Sequence, residues 1–170
     1  MRELKGEAAP EEVETQLNLG LNIRIPAEYI PQENQRLRMY KRVAGVESES
    51  QLNDVRAELE DRYGEPPVAV RNLLAYATLK LMAQRVGVSG IERKRELVSI
   101  RFSGNAAVDP ERLARFVAAQ TRAQFTPAGV LKFCLQSTAA ADILTRLKQL
   151  LDDLSAGRVA QPGPQLAASD

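Results

Sequence analysis

Two groups of charged residues have the types and spacing to make contacts of chemical consequence. Asp54, Glu58, Asp61 and Glu65 recur at intervals of four, three and four. That spacing stacks side chains on one face of a helix. Like charges at i, i+4 cost a few tenths of a kcal/mol, roughly, a small cost that a cationic partner would offset. The pattern has two readings, a docking surface and a solvated helix face flanked by Arg56 and Arg62. The second group is Arg36, Arg38, Lys41 and Arg42. It reads either as a phosphate or protein contact or as a solvated face, and no aromatic residues interleave it to stack on bases.

Little else in the chain could do chemistry. There is no His, so the Ser-His-Asp triad, imidazole metal ligands and the commonest general base are excluded. The one Cys, Cys134, lies in the apolar run 130–135 and is expected to be a small buried hydrophobe. One Cys cannot form an intrachain disulfide or a thiolate zinc site, and it fits a reducing cytosol. No Gly-x-x-x-x-Gly-Lys-Ser/Thr loop, Gly-x-Gly-x-x-Gly turn or Gly-x-Ser-x-Gly elbow occurs. The carboxylate pairs Glu11-Glu12 and Asp152-Asp153 sit in polar surroundings that keep carboxyls ionised. These absences predict a non-enzyme with no cofactor and no metal.

With 170 residues, folding should bury about 70% of the unfolded chain's surface, enough for a core without staples. Lys and Arg total 23 against 22 Asp and Glu, a net charge of +1. Such a balance argues against a dedicated nucleic-acid or membrane-surface binder. No apolar run approaches the ~18 residues of a membrane span. Residues 1–15 read as a linker from an upstream domain, residues 16–155 as one domain, and residues 156–170, with Gly157, Pro162, Gly163 and Pro164, as a flexible tail.

The elements that must position the charges follow from periodicity. Leu17, Leu19, Leu21, Ile23 and Ile25 alternate with polar residues, predicting a half-buried strand ended by Pro26. A helix over 33–44 would bury Leu37, Tyr40 and Ala44, with Val43 beside them. Ser48 and Gln51 have capping-box spacing for a second helix, whose stripe is Leu52, Val55, Leu59 and Tyr63. Gly64 is its expected left-handed cap. A third helix, from Pro66-Pro67 to Val86, is apolar nearly all round and therefore central. Strands at 88–93 and 97–102 follow, then a helix opened by Asp109-Pro110 with Leu113, Phe116 and Val117 inward. Strands at 123–126 and 130–135 precede a last helix over 139–154. The predicted class is α+β: a leading strand, a helical N-terminal half, then a small antiparallel sheet in strand-strand-helix-strand-strand-helix order.

The residues also carry a resemblance. Asn18-Leu19-Gly20-Leu21, Ile25-Pro26, Tyr29-Ile30-Pro31, Gln35-Arg36-Leu37, Tyr40 to Ala44, Glu58-Leu59, Asp61 to Gly64, Pro67-Val68 and Asn72-Leu73-Leu74 resemble the C-terminal (TRCF) domain of the bacterial transcription-repair coupling factors. Leu4-Lys5-Gly6-Glu7 is similar to the junction upstream of that domain. The likeness spans about 4–154, with its specific motifs before Val88. Tyr63, where the family often has Phe, and Asn22-Ile23-Arg24 depart from the pattern.

The resemblance implies a bacterial, cytoplasmic, non-catalytic regulatory domain excised from an ATP-driven DNA translocase that acts on stalled RNA polymerase in transcription-coupled nucleotide-excision repair. It implies docking on the UvrB-like N-terminal module of the same protein, which masks the surface that binds UvrA and holds the motor autoinhibited. The family's acidic contacts fall on Glu58 and Asp61; Asp54 and Glu65 extend the stripe. Arg36, Arg38, Lys41 and Arg42 are candidates for a second contact. The alternative is an accessory DNA-binding domain that uses that basic helix.

Overall fold

The computed structural model describes residues 15–104, 106, 108–120 and 122–155. The expected tail 156–170 and all but Thr15 of the expected linker lie outside the described residues. The element order is β1 (Gln16–Asn18), α1 (Glu33–Ala44), α2 (Glu49–Tyr63), α3 (Val68–Val86), β2 (Val88–Lys94), β3 (Leu97–Phe102), α4 (Pro110–Ala119), β4 (Gln124–Phe125), β5 (Val130–Cys134) and α5 (Ala140–Leu154). The α+β class stands.

The sheet has the order β1-β2-β3-β5-β4. β2, β3, β5 and β4 pair antiparallel, but β1 joins β2 in parallel, Leu17 opposite Ile91. The sheet is therefore mixed, and the leading strand is part of it. A parallel pair needs a crossover, and α1–α3 supply it. β1 is also far shorter than the alternation over 17–25 suggests. Leu19 and Ile25 are buried and Gly20, Asn22 and Arg24 exposed, so the alternation of burial persists after the ladder ends. Period two reports which side faces the core, not whether a neighbouring strand is present.

Two apolar clusters share α3. Ile25, Ile30, Met39, Val43, Leu52, Val55 and Leu59 pack on Val70, Leu73, Leu74 and Ala77 of its first half. Leu79, Ala83 and Val86 of its second half pack with Ile91, Val98, Ile100, Leu131 and Phe133 of the sheet and with Ile143, Leu147 and Leu151 of α5. The central role read from its apolar circumference is thus realised. α4 covers Phe133 with Phe116, ring against ring edge-on at 5.3 Å. Leu113, Phe116 and Val117 do face inward, but they are half-buried.

Several local expectations need correction. α1 buries Met39 and Val43, while Leu37 is 55% exposed and Ala44 is exposed too. Tyr40 does face the cluster, half-buried, its hydroxyl accepting from the Ile25 N–H at 2.6 Å, but Leu37 and Ala44 lie on the side away from α2 and α3. Ser48 Oγ accepts from the Gln51 N–H at 3.1 Å, yet Gln51 Oε1 reaches the Glu47 N–H (2.7 Å) rather than that of Ser48. Gly64 has φ +89° with ψ −168°, outside the left-handed helical region. Strand 123–126 contracts to Gln124–Phe125. Cys134 is half-buried, since its neighbours Phe133 and Leu135 take the inward positions.

Candidate protein-docking face

The acidic residues sit on α2, which the Ser48 cap begins and Leu52, Val55 and Leu59 hold against the core. Its C-terminal end is pinned from outside the helix. Tyr29 Oη donates to the carbonyls of Gly64 (2.7 Å) and Leu59 (3.2 Å), and its ring lies 5.6 Å from that of Tyr63. Partial burial, with Glu60 nearby, pushes the Tyr29 hydroxyl above its usual pKa, so it stays a donor. These contacts fix the last turn, where Asp61 stands.

Asp54, Glu58 and Asp61 share one side of α2, as their spacing predicts. Glu65 does not continue the stripe. The helix ends at Tyr63, and the Gly64 turn leads Glu65, still exposed, off the helix. Asp54 and Asp61 are exposed and make no ion pair with any described residue.

Glu58 is different. Its Oε1 receives Arg42 Nη1 of α1, and its Oε2 receives Arg62 Nη1 one turn along α2 at 3.1 Å. The hydrogen bond from Arg42 and then that from Arg62 hold its carboxyl below the usual carboxylate range. The acidic and basic groups, separate in the sequence reading, thus meet at one carboxylate. Arg56 turns away to Asn53 Oδ1 (2.8 Å), so of the two arginines flanking the stripe only Arg62 neutralises it.

The basic group is divided as well. Arg36 Nη1 donates to the carbonyls of Ile30 (2.8 Å) and Pro31 (3.0 Å), joining α1 to the turn before it. Arg42 is held by Glu58. Arg38 and Lys41 remain exposed, without an ion pair to any described residue, around the exposed Leu37. Sequence reasoning missed the Arg42–Glu58 pair and the Arg36 anchor. A helix wheel shows which side of one helix a charge occupies, not which side the next helix covers. Among the described residues, no three His, Cys, Asp or Glu side chains gather where a metal ion could be held, and no helix is long and apolar enough to cross a membrane.

Residues 19–113, more than half of the chain, match the TRCF domain. The chain belongs to the TRCF domain family. The match covers α1–α3, β2 and β3, and so includes the whole docking face. The chain is 34% identical over 148 residues to a transcription-repair-coupling factor of Staphylococcus epidermidis, covering 87% of this chain and 12% of that protein. It is 34% identical over 107 residues to the Haemophilus influenzae protein of the same name, covering 61% and 9%. The chain therefore spans only about an eighth or less of the length of these curated relatives. Its fold is similar to the crystal structure of the C-terminal domain of a transcription-repair coupling factor, with a TM-score of 0.73 at 22% identity over 85% of this chain and 96% of that one.

Proposed function

We propose that this TRCF domain is a non-catalytic regulatory domain of a bacterial, cytoplasmic transcription-repair coupling factor, acting in transcription-coupled nucleotide-excision repair. Its acidic α2 face docks on arginines of a UvrB-like N-terminal module of the same protein. Docking masks the surface that binds UvrA and restrains the DNA translocase. RNA polymerase and double-stranded DNA are then partners of the whole protein.

The observation that carries this reading is the pair Asp54 and Asp61, exposed and without an ion pair among the described residues, on the side of α2 away from its buried stripe. A tethered partner is present at roughly millimolar effective concentration, so a small charged interface suffices and remains releasable. The rival reading, DNA binding by α1, is less favoured, because Arg36 and Arg42 are engaged within the chain. Two remaining cations are few against the six to ten phosphate contacts, roughly, of a strongly salt-dependent binder.

The test is the double reversal Asp54→Lys/Asp61→Lys in the full-length parent. Neither residue supports the fold, so circular dichroism should be unchanged. UvrA binding and basal ATPase should rise together, with the closed-to-open ratio falling at least about tenfold, or ~1.4 kcal/mol. Glu28→Lys/Glu92→Lys, two exposed carboxylates with no described ion pair, is the charge-matched control. A folded Asp54/Asp61 variant that binds UvrA no better than wild type would show the stripe to be only a solvated face.

A further inference from the structure

The docking face contains one carboxylate that is already occupied. Glu58 uses Oε1 for Arg42 and Oε2 for Arg62. A guanidinium recognises a carboxylate best through two parallel bonds, one to each oxygen. Each oxygen keeps a second lone pair, but a partner's arginine that took both would bring a third guanidinium beside Arg42 and Arg62. Repulsion among three like charges around one carboxylate favours the departure of one of the two.

The two arginines are not equivalent. Arg62 lies four residues along the same helix and travels with Glu58, its guanidinium 5.2 Å from the Tyr63 ring centre. Arg42 comes from another helix. Its reach is set by the packing of Met39 and Val43, the buried residues of α1, in the cluster they share with Leu52, Val55 and Leu59. The side chains of Arg42 and Glu58 are 42% and 33% exposed, so the pair can open to solvent without disturbing that packing. Arg38, one turn earlier, is exposed and has no described ion pair.

We propose that Arg42 is an internal competitor for Glu58: it stands where a partner's arginine would bind and thereby weakens docking of the α2 face, keeping the clasp releasable. This rests on the docking reading above and adds a positioning residue to it. Arg42 acts through Glu58 and contacts no partner itself. In the undocked domain the pair is closed. In the docked domain Glu58 has exchanged Arg42 for the partner's cation, and Arg42 is returned to water.

The experiment measures the affinity of the 170-residue chain for the separately produced UvrB-like module of the parent, for wild type and six variants. Arg42→Gln should tighten binding about three- to fivefold, the scale of an exposed ion pair. Arg38→Gln removes the same charge from the same helix and should change affinity less than about 1.5-fold, which separates competition from net charge. Arg42→Lys keeps the charge but not the fork, and should fall between wild type and Arg42→Gln. Glu58→Gln should cost more affinity in the Arg42→Gln background than in wild type, by the same factor. A merely structural link between α1 and α2 would give weaker docking, or none, when broken. Arg42→Gln that binds no tighter than Arg38→Gln, while Asp54→Lys/Asp61→Lys abolishes binding, overturns the competition and leaves the docking face standing. Binding that survives Asp54→Lys/Asp61→Lys overturns the docking face and this inference with it. Should Arg42→Gln fail to fold, Arg42→Lys alone must still tighten binding beyond Arg38→Gln.

Discussion

Tyr76 and Leu17, 59 residues apart, are joined by a 2.7 Å hydrogen bond from the Tyr76 hydroxyl to the Leu17 carbonyl. The bond ties the edge strand β1 to the middle of α3. β1 has only three residues in the ladder, so this side-chain contact supplements a short row of backbone bonds. Thr15 adds a second tie, its hydroxyl donating to the Val88 carbonyl at 2.5 Å.

Tyr76→Phe should therefore destabilise the domain by about 0.5–1.5 kcal/mol, the net worth of one such bond. Amide exchange should quicken at Leu17 and Asn18 before it does in β3. Burial also raises the Tyr76 pKa above 10.0. A raised folded value means that this contribution is whole below the unfolded pKa and is lost as pH rises toward the folded one. Wild type should thus lose stability above about pH 10 more steeply than Tyr76→Phe. Urea midpoints for both proteins at pH 7 and pH 10.5 check the bond and the sign.

Two glycines separate backbone strain from crowding. Gly64 has φ +89° and open space where a Cβ would stand, whereas Gly87 has φ +94° and a Cβ there would lie 2.5 Å from Ala106 Cα. Gly64→Ala should cost about 1–3 kcal/mol from backbone conformation alone. Gly87→Ala carries a similar backbone cost and must also displace the chain at Ala106, so it should exceed Gly64→Ala by at least ~1 kcal/mol. Equal midpoint shifts in urea would mean that the close approach at Ala106 relaxes freely.

The Arg42–Glu58–Arg62 contact has a pH signature. The folded pKa of Glu58 lies below the ordinary 4.5. A depressed value contributes stability that is present above the unfolded pKa and lost as pH falls through the folded one. Glu58→Gln should be less stable than wild type at pH 7 by under about 1 kcal/mol, because the pair is exposed and screened. The gap should close below about pH 4 and shrink in 1 M salt. A gap that persists at pH 2.5 would assign the effect to side-chain packing instead of charge.

Much of this fold is decided by local chemistry that can be read along the chain. The end of α1 at Ala44, before Gly45, and the cap of α2 at Ser48 follow from residues within a turn of each boundary, because a helix end is satisfied by its neighbours. The start of α4 at Asp109-Pro110 has the same origin, with Asp109 accepting from the Glu111 N–H at 3.0 Å. The apolar circumference of α3 foretold its buried, central place for a similar reason: a helix apolar on nearly every side must be covered on nearly every side. Asp54, Glu58 and Asp61 share a face through helical spacing alone.

What depends on distant partners was settled only in three dimensions. Leu37 and Met39 lie two residues apart on α1, both apolar, and spacing favoured Leu37 for the core; α2 and α3 pack on the side of Met39. The alternation from Leu17 to Ile25 could not show where β1 loses its neighbour, or that its partner, β2, begins at Val88 and runs parallel to it. The union of Arg42 with Glu58 has the same cause. Each residue occupies a defined position on its own helix, but the distance between them is set by how α1 and α2 pack, and that packing turns Glu58, one of the three acidic residues of the stripe on α2, from a free charge into an occupied one.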